Sequence, residues 1–400
     1  MTTALFALES LASVRTGDGA PQEATSFGST GIPFIRAGSL INLLGGLDES
    51  ELEHIPLLEV KKRRMQKFPA GTIVFAKSGM SCTKGHVYEL KSECCVVNHL
   101  AAIECGPNLD SRFLLRWLER NPPSRLIANP SYPSIKISDI RSDKVDIPHK
   151  NGKPDLEEQK RIAAILDKAD AIRRKRKQAL RLTDDFLRSL FLDMFGDPVT
   201  NPKGWDEVDF GELVESTRLG MVRSSTEFGW DMPVPYVRMD AITNDGGFLH
   251  EKVQGTNATK EEIQSYGLQP GDFLFNTRNS KELVGKVAVY PGPTGATFNN
   301  NLLRIRFKKS ADPYFVCFQF QFARVQRELE SRKQGTTSVF AVYWKNLRTL
   351  PVLMPPIELQ REFRACADKV AETRLFMDRE ANEAASLFSS LQQRAFRGEL

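Results

Sequence analysis

The chain has 400 residues, of which 41% are hydrophobic and 26% charged, and its formal net charge is +5. That length allows two or three domains with cores of their own. No apolar run approaches the ~20 residues that a membrane-spanning helix needs, and Glu9 interrupts the apolar start, which argues against a signal peptide. The six cysteines follow no disulfide framework, so a reducing cytoplasm is expected. The small positive charge permits nucleic-acid binding without requiring it.

Short apolar runs separated by Gly, Pro and Asn fill the first 153 residues and predict strands joined by turns. IVFAK (73–77) follows a P-x-G turn, HVYEL (86–90) succeeds it, and SRFLLRWLER (111–120) is helical. A long helical pattern follows at 156–194. The same order then recurs, with FLFNT (273–277), KVAVY (286–290) and a second helical pattern from 357. Two mixed α/β domains, each followed by a long helix, are the predicted architecture.

The two halves contain matching segments in the same order. GIPFIRAGSL (31–40) matches PVPYVRMDAI (233–242), so that Arg36 and Arg238 are 202 residues apart. FPAGTIVFAKSG (68–79) matches LQPGDFLFNTRN (268–279), with an offset of 200, and VVNHLAAIEC (96–105) matches FNNNLLRIRF (298–307), with an offset of 202. LEEQKR (156–161) matches IELQRE (357–362) at 201. A nearly constant offset indicates a tandem duplication rather than chance similarity between apolar strands.

Both helical segments carry apolar residues at alternating three- and four-residue spacings, which predicts a coiled-coil seam. Two mutually buried seams would run antiparallel, and about 38 residues at ~1.5 Å each give a rod of roughly 55 Å, comparable to about 16 base pairs. The predicted seam comprises Ile162, Ile165, Ala169, Ile172, Ala179, Phe186 and Leu190 in the first helix and Phe363, Val370, Met377, Ala384 and Leu391 in the second. Arg176 also falls on it, as a polar residue that would fix the register.

The helical motifs also carry a resemblance. LEEQKRIAAILDKADAIRRKRKQAL (156–180), FLRSLFLDMFGDP (186–198), MPPIELQREF (354–363) and LFSSLQQRAFRGEL (387–400) resemble the specificity subunit of type I restriction-modification systems. The order of domains over the whole chain matches that family as well. It implies an α+β architecture with target-recognition domains at 1–153 and 198–355, and coiled-coil helices at 154–197 and 356–400.

The resemblance further implies a non-catalytic DNA reader in the prokaryotic cytoplasm. Its partners would be double-stranded DNA with a bipartite target, two modification (methyltransferase) subunits and two restriction (translocase-nuclease) subunits, and no membrane. S-adenosylmethionine, ATP and Mg²⁺ would be held by those partners, with no cofactor in this chain. The alternatives are a partner-independent DNA-binding regulator, a specificity subunit of a related type II-like modification–nuclease system, or an enzyme with its own catalytic centre.

Candidate DNA contacts occupy equivalent positions in the two repeats. Arginine pairs with guanine or phosphate, asparagine suits adenine edges, and Gly and Ser let a backbone approach closely; the ordinary alternatives are surface arginines, turns and caps. The loops at 129–134 and 331–338 belong to the same set. The candidates are Arg36, Lys77, Ser78, Lys84, Asn98, His99, Arg238, Asn276, Arg278, Asn279, Lys286, Asn300, Lys333, Gln334 and Thr336.

Other patterns are poor matches to known chemistry. RNPPSRL (120–126) has Ser124 where an amino-methyltransferase motif needs an aromatic residue. The spacing of Cys and His is irregular for zinc, and GPTG (292–295) lacks the Lys-Ser/Thr of a phosphate loop. The basic run RRKRK (173–177) is interpreted as a solvated helix face, with direct DNA contact as the alternative. No catalytic residue and no metal site is predicted.

Overall fold

The computed structural model describes residues 3–335 and 338–400 of the chain. Clustering of contacts divides them into two units. Unit 1 contains the described residues up to Ala179 together with Met377–Leu400, and unit 2 contains Leu180–Phe376. Both long helices therefore contribute to both units.

The strands of unit 1 are short and lie where the sequence alternates or is continuously apolar. They are β1 Thr3–Ala7, β2 Ala12–Thr16, β3 Ile32–Ile35, β4 His54–Ile55, β5 Ile73–Ala76, β6 Val87–Glu89, β7 Cys95–Val96, β8 Leu100–Cys105, β9 Lys144–Lys150 and β10 Lys153–Pro154. The helices up to this point are α1 Ser39–Leu44, α2 Leu57–Arg63, α3 Ser111–Arg120 and α4 Ile137–Ser142, and the long helix α5 Leu156–Phe195 follows.

Unit 2 repeats this series with small additions. Its strands are β11 Asp206–Asp209, β12 Val214–Leu219, β13 Phe228–Gly229, β14 Val234–Val237, β15 Gln254–Thr256, β16 Phe273–Asn276, β17 Arg278–Asn279, β18 Val287–Val289, β19 Thr297–Phe298, β20 Leu302–Phe307, β21 Gln334–Gly335, β22 Phe340–Ala341 and β23 Pro351–Met354. Its helices are α6 Lys260–Tyr266, α7 Pro313–Gln319, α8 Ala323–Arg332 and α9 Trp344–Leu347, followed by the long helix α10 Ile357–Phe396.

The four-stranded antiparallel sheet has the same strand order in each unit, and the same register apart from a shift between Val214 and Ser216 of β12. The order is β2-β8-β5-β6 in unit 1 and β12-β20-β16-β18 in unit 2. Phe75 pairs with Ala101 in the first sheet as Phe275 pairs with Leu303 in the second. Side chains alternate between the faces of a sheet, so a shared register puts repeated residues on the same face. The duplication inferred from the sequence is thus a duplication of structure.

A smaller sheet adds a second layer in each unit. In unit 1 its order is β4-β3-β7, and in unit 2 it is β13-β15-β14-β19. The pair of strands at one edge is parallel in both, with Ile35 opposite Val96 and Val237 opposite Phe298. Parallel pairing brings the carboxyl ends of two strands to one edge. That edge carries the residues that follow β3 and β7, or β14 and β19.

The two long helices pack against each other and against the domain in both units. In unit 1 the beginning of α5 and the end of α10 share a core, to which Ile162, Leu166, Phe388 and Ala395 contribute. In unit 2 the end of α5 and the beginning of α10 meet instead, with the ring of Phe363 5.5 Å from that of Phe191. The helices are therefore antiparallel, as the heptad pattern predicted.

Burial along the helices corrects part of the predicted seam. In α10 the predicted positions Phe363, Val370, Met377, Ala384 and Leu391 are all buried or half-buried. In α5 the series from Ile162 to Leu190 is likewise covered, and Ile165 and Ala179 are half-buried. Ile172 and Phe186, however, are 51% and 55% exposed. The second series of α5 lies one residue later, at Leu166, Arg173, Leu180, Leu187 and Met194.

The wrong assignment of Ile172 and Phe186 to the seam has a physical cause. From Ile162 a seam can continue by three residues to Ile165 or by four to Leu166, and the sequence is apolar at both. Ile172 is more apolar than Arg173, so apolarity favours the wrong series. In the structure the guanidinium of Arg173 lies 5.0 Å from the Phe388 ring centre. A long arginine side chain can cover apolar surface in this way and occupy a seam position.

Candidate nucleic-acid interface

In unit 1 three candidate segments meet at one edge of the four-stranded sheet. Lys77, directly after β5, donates its backbone N–H to the carbonyl of His99 at 2.9 Å. Its own carbonyl accepts from Ile135 at 2.7 Å, which ties the loop at 129–134 to the same edge. The Ser78 hydroxyl lies 2.7 Å from Nδ1 of His99. Lys77, Ser78 and His99 are thus held together by short bonds.

Unit 2 assembles the equivalent segments with the same backbone bonds. Thr277 donates to the carbonyl of Asn301 at 2.8 Å and accepts from Val342 at 2.9 Å. Strand β17, which is Arg278–Asn279, pairs with β22, and β22 pairs with β21. The equivalent candidate loops therefore lie together within each unit.

Exposure separates the candidates that a ligand can reach from those it cannot. Lys84, Asn98, His99, Arg278 and Gln334 are exposed. Partly exposed are Lys77, Ser78, Asn279 and Asn300. Thr336 lies outside the described residues.

Three candidates in unit 2 are occupied in holding their own loops. Asn276 is fully buried and donates from Nδ2 to the carbonyl of Leu283 at 3.1 Å. The Lys286 ammonium donates to the carbonyls of Met239 and Ile242, and burial lowers its pKa. Lys333 binds the carbonyl of Lys281 at 2.7 Å and pairs with Glu330, so its side chain is 10% exposed. These are corrections to the predicted reading residues, because a polar group on a strand end can support a loop as well as bind DNA.

Arg36 and Arg238 have matching surroundings. The Arg36 guanidinium lies 5.1 Å from the ring centre of Phe27, and the Arg238 guanidinium 4.5 Å from that of Phe228. Such stacking restricts a long side chain to one orientation.

Arg36 also bonds to the residue just before β4, and Arg238 to the first residue of β15, and there the two differ. Arg36 donates from Nε to the carboxylate of Glu53 at 3.0 Å, whereas Arg238 donates from Nη1 to the neutral amide of Gln254 at 2.8 Å. The nearest carboxylate oxygen to Arg238 belongs to Asp240, at 3.8 Å. The two arginines have equivalent positions and aromatic neighbours, but a carboxylate lies closer to Arg36 than to Arg238.

Sequence reasoning missed the apolar residues around these loops. Val222 and Tyr343 of unit 2, 74% and 47% exposed, line a cavity of about 340 Å³ together with Arg278, Asn300 and Asn301. In unit 1 Met80 and Tyr132 are 70% and 81% exposed on the loops that meet at Ser78 and Ser134. In a sequence, apolar residues in short runs are predicted to lie in the core. Only the exposure of their side chains in the folded chain distinguishes these residues from core residues.

The basic run RRKRK is divided between the helix contact and solvent. Arg176 forms an ion pair of 2.9 Å with Glu380, across the seam within unit 1. Arg173 and Arg174 bond to the buried Asp170, which also contacts Arg116 at 3.1 Å. Lys175 and Lys177 are exposed. The predicted role of Arg176 in the seam fits its position, and the solvated-face reading holds for the lysines.

Neither metal nor membrane geometry is evident in the described chain. Over residues 3–335 and 338–400, no cluster of three or more His, Cys, Asp or Glu side chains is arranged to hold a metal ion. None of the helices described is both long and apolar enough to span a bilayer. The six cysteines are free thiols, and burial raises the pKa of Cys95 to about 11.

Each unit thus carries an equivalent loop surface, and the two long helices run antiparallel. The sequence signature of the type I restriction modification DNA specificity domain matches residues 3–182 and 202–373. The chain belongs to this family and contains the domain twice.

Two curated proteins of Methanocaldococcus jannaschii are similar to parts of the chain. The putative type I restriction enzyme MjaX specificity subunit is 24% identical over 165 residues, 40% of this chain and 38% of that protein. The type I restriction enzyme MjaIX specificity subunit is 28% identical over 138 residues, 34% of this chain and 31% of that protein. The matches therefore span well under half of either relative.

Two solved structures share the fold over nearly the whole chain. The type I restriction-modification S subunit from M. genitalium superposes with a TM-score of 0.60 at 12% identity, covering 99% of this chain and 96% of that one. A chain from a study of complex assembly and conformational transition of the type I R-M system gives a TM-score of 0.53 at 16% identity, covering 100% and 98%. At these identities the likeness concerns the fold.

Proposed function

We propose that this chain is the DNA-recognition subunit of a type I restriction-modification complex, in which each unit reads one half of a bipartite target. The observation that carries the proposal is the repeated loop surface. In unit 1 Lys77, which follows β5, bonds to His99, between β7 and β8, and to Ile135, which precedes β9. In unit 2 Thr277, which follows β16, bonds to Asn301, between β19 and β20, and to Val342, which precedes β23. Two equivalent surfaces suit two half-sites, as in other readers of split targets.

The reading residues proposed for unit 1 are Arg36, Lys77, Ser78, Lys84, Asn98 and His99. For unit 2 they are Arg238, Arg278, Asn279, Asn300 and Gln334. Arginine, lysine and amide side chains supply phosphate contacts and base-edge hydrogen bonds, so the two surfaces have the chemistry that both tasks need. Asn276, Lys286 and Lys333 are assigned to holding the loops in place.

The antiparallel helices are proposed to set the unread spacer between the half-sites. Each of α5 and α10 has 40 residues, and each packs into the core of both units. A helix is stiff over such a length, so its residue count fixes a distance more reliably than a loop would.

The exposed apolar residues of these helices are proposed as the docking sites of two methyltransferase subunits. Unit 1 exposes Ile172 and Leu387, and unit 2 exposes Leu182, Phe186 and Phe376. Apolar side chains repeated on an exposed helix face favour burial against a partner helix. Because each unit carries such residues, two copies of the partner fit better than one.

Catalysis is assigned to the partners. Methyl transfer with S-adenosylmethionine belongs to the modification subunits, and ATP- and Mg²⁺-dependent translocation and cleavage to two restriction subunits. This chain supplies the DNA-sequence specificity of the complex, since its family is defined by DNA specificity.

The test is modified-base mapping of DNA from cells that express this chain with its modification subunit. A modified motif of two fixed half-sites separated by unspecified bases is expected, and cells with the modification subunit alone should lack it. A motif without a gap would contradict the division of reading between units.

Assays on the purified chain separate the alternatives. No methylation is expected without the modification subunit, and activity of the chain by itself would establish an enzyme instead. Specific DNA binding that is never accompanied by modification would favour a partner-independent regulator. Modification without ATP-dependent cleavage by a separate subunit would favour a type II-like system.

A further inference from the structure

A buried glutamine ties the first turn of each long helix to the domain before it. In unit 1 Gln159 is 0% exposed, although it is polar and lies in the first turn of α5. Its Oε1 accepts the backbone N–H of Asp110 at 3.0 Å, and its Nε2 donates to the carbonyl of Asn108 at 3.1 Å. Both partners belong to the turn between β8 and α3.

Unit 2 repeats this arrangement 201 residues later. Gln360 is also 0% exposed; its Oε1 accepts the N–H of Asp312 at 2.9 Å. Its Nε2 donates to the carbonyls of Ser310 at 3.4 Å and Pro355 at 2.7 Å. Ser310 and Asp312 lie between β20 and α7, the equivalent turn. The same side chain making the same pair of bonds in both repeats is an observation independent of the recognition loops.

The bonding pattern requires an amide. Each site presents a main-chain N–H donor together with at least one main-chain carbonyl, so the side chain must accept and donate at once. A glutamate would have no donor for the carbonyl and would bury a charge, and an apolar residue would leave both groups unpaired. Glutamine meets the requirement through its two amide atoms.

The clamped turn is mechanically connected to the recognition loops. Strand β8 begins directly after His99 and ends just before the turn that Gln159 holds. Strand β20 runs in the same way from Asn301 towards the turn that Gln360 holds. A six-residue strand at about 3.3 Å per residue is a rigid connection of roughly 20 Å. Each six-residue strand thus joins a turn held by a glutamine directly to the loop surface of the same unit.

We propose that Gln159 and Gln360 are positioning residues that fix the angle between each recognition domain and the long helix that follows it, and thereby the DNA spacer that the protein accepts. The proposal rests on the function proposed above. One added base pair moves a half-site by about 3.4 Å and turns it by about 34° around the duplex. A change in the angle at either glutamine therefore alters which spacer fits both recognition domains.

The experiment uses the full chain with its modification subunit and a pool of synthetic duplexes. All duplexes carry the two mapped half-sites, with spacers from three base pairs shorter to three longer than the mapped one. Bound DNA is sequenced for wild type and for Gln159→Met, Gln159→Glu, Gln360→Met and Gln360→Glu. Methionine keeps the length of the side chain without hydrogen bonds, and glutamate keeps only the acceptor.

The expected result is a relaxed spacer preference with unchanged half-site sequences. We expect the preference of wild type for its own spacer to fall at least about fivefold in the methionine variants, because two buried backbone groups lose their partners. Gln178→Met, on the exposed face of α5, is the matched control and should keep the wild-type spacer profile.

Three results would overturn the proposal. The first is an unchanged spacer profile in folded variants, and the second is an equal loss of binding at every spacer, which would indicate a purely structural role. The third is unfolding of all four variants in thermal melts. Wild type is tested first. If wild type selects no pair of half-sites, that result contradicts the function proposed above rather than the role of the two glutamines.

Discussion

At the residue scale, the two repeats differ most clearly beside Arg36 and Arg238. The aromatic neighbour and the strand-end position are the same, but Arg36 bonds directly to the Glu53 carboxylate at 3.0 Å, whereas Arg238 bonds to the Gln254 amide and has the Asp240 carboxylate farther away, at 3.8 Å. An exposed ion pair contributes little to stability, so removal of Glu53 should change the local charge more than the stability. A carboxylate beside a phosphate-binding arginine weakens attraction for DNA.

Exchange of these two residues gives a reciprocal prediction. Glu53→Gln should raise affinity for the half-site read by unit 1, and Gln254→Glu should lower affinity for the half-site read by unit 2, each by about fivefold at low salt. Fluorescence anisotropy over a salt series checks both, and the slope of log K against log salt should steepen in the first and flatten in the second. Effects of the same sign in both variants would contradict this explanation.

Asn276 and Arg278 provide a second prediction, because they are close in sequence but differ in burial. Asn276→Ala should lower the free energy of unfolding by about 1–3 kcal/mol, since the Leu283 carbonyl loses its donor. Arg278→Ala should leave the melting temperature unchanged and relax base preference at one position of the half-site. Thermal melts and sequencing of selected DNA measure the two effects. An altered base preference in Asn276→Ala without destabilisation would return that residue to the reading set.

Asp170 gives a pH-dependent prediction. Burial raises its pKa, but the hydrogen bond from Arg173 and the charges of Arg116 and Arg174 outweigh burial, so that its pKa lies below the ordinary value. A lowered folded pKa stabilises the protein above the unfolded pKa of about 3.9, and this contribution is lost as pH falls through the folded pKa. Asp170→Asn should therefore cost about 3 kcal/mol at neutral pH, and the difference should shrink below about pH 4.

The measurement is the unfolding midpoint of wild type and Asp170→Asn over a pH series. Glu157→Gln is the control, because Glu157 lies on the same helix and is 84% exposed. A difference between wild type and Asp170→Asn that stays constant through acid pH would show that the carboxylate charge is not what stabilises this cluster.

At the element scale, helix α5 carries two adjacent apolar stripes. One continues through Leu166 and faces α10, and the other continues through Ile172 and Phe186 and is exposed. A seven-residue pattern identifies a helix that packs against other helices, but two stripes leave the choice of partner undecided. The exposed stripe is the one that this chain leaves for another protein in the proposed complex.

Matched charge substitutions distinguish the two stripes. Ile162→Asp should destabilise the chain by more than about 3 kcal/mol, because Ile162 is fully buried in the core of unit 1. Ile172→Asp should leave the melting temperature within a few degrees of wild type and abolish co-purification with the modification subunit. Melting by circular dichroism and pull-down of the two subunits check the pair. Strong destabilisation by Ile172→Asp would restore the seam that the sequence suggested.

At the scale of the whole molecule, the duplication predicts that the two halves of the target are read independently. A substitution in the loop surface of one unit should change one half of the modified motif and leave the other half and the spacer unchanged. Asn98→Ala in unit 1 and Asn300→Ala in unit 2, which are 202 residues apart at equivalent positions, are a matched pair for this test by modified-base mapping. A change in both halves from one substitution would contradict independent reading.

The placement of the candidate residues was predictable only in part. Offsets of 200–202 identified the equivalent loops, and these loops do converge in each unit because the repeated strands share one register. The burial of Asn276, Lys286 and Lys333 could not be predicted from the sequence. A polar residue at a strand end has the same local sequence pattern whether its side chain points to solvent or to a carbonyl. Val222 and Tyr343 were missed for the converse reason.

The sequence by itself determined the duplication, the two long helices and the family, because repeats, heptads and helical motifs are local patterns that survive without knowledge of contacts. Tertiary structure decided which stripe of α5 faces α10, which polar side chains remain exposed, and what Gln159 and Gln360 hold. Those properties depend on which surfaces lose water when distant segments meet. In LEEQKR and IELQRE the repeated glutamine is legible, but its buried bonds to Asp110 and Asp312 exist only in the folded chain.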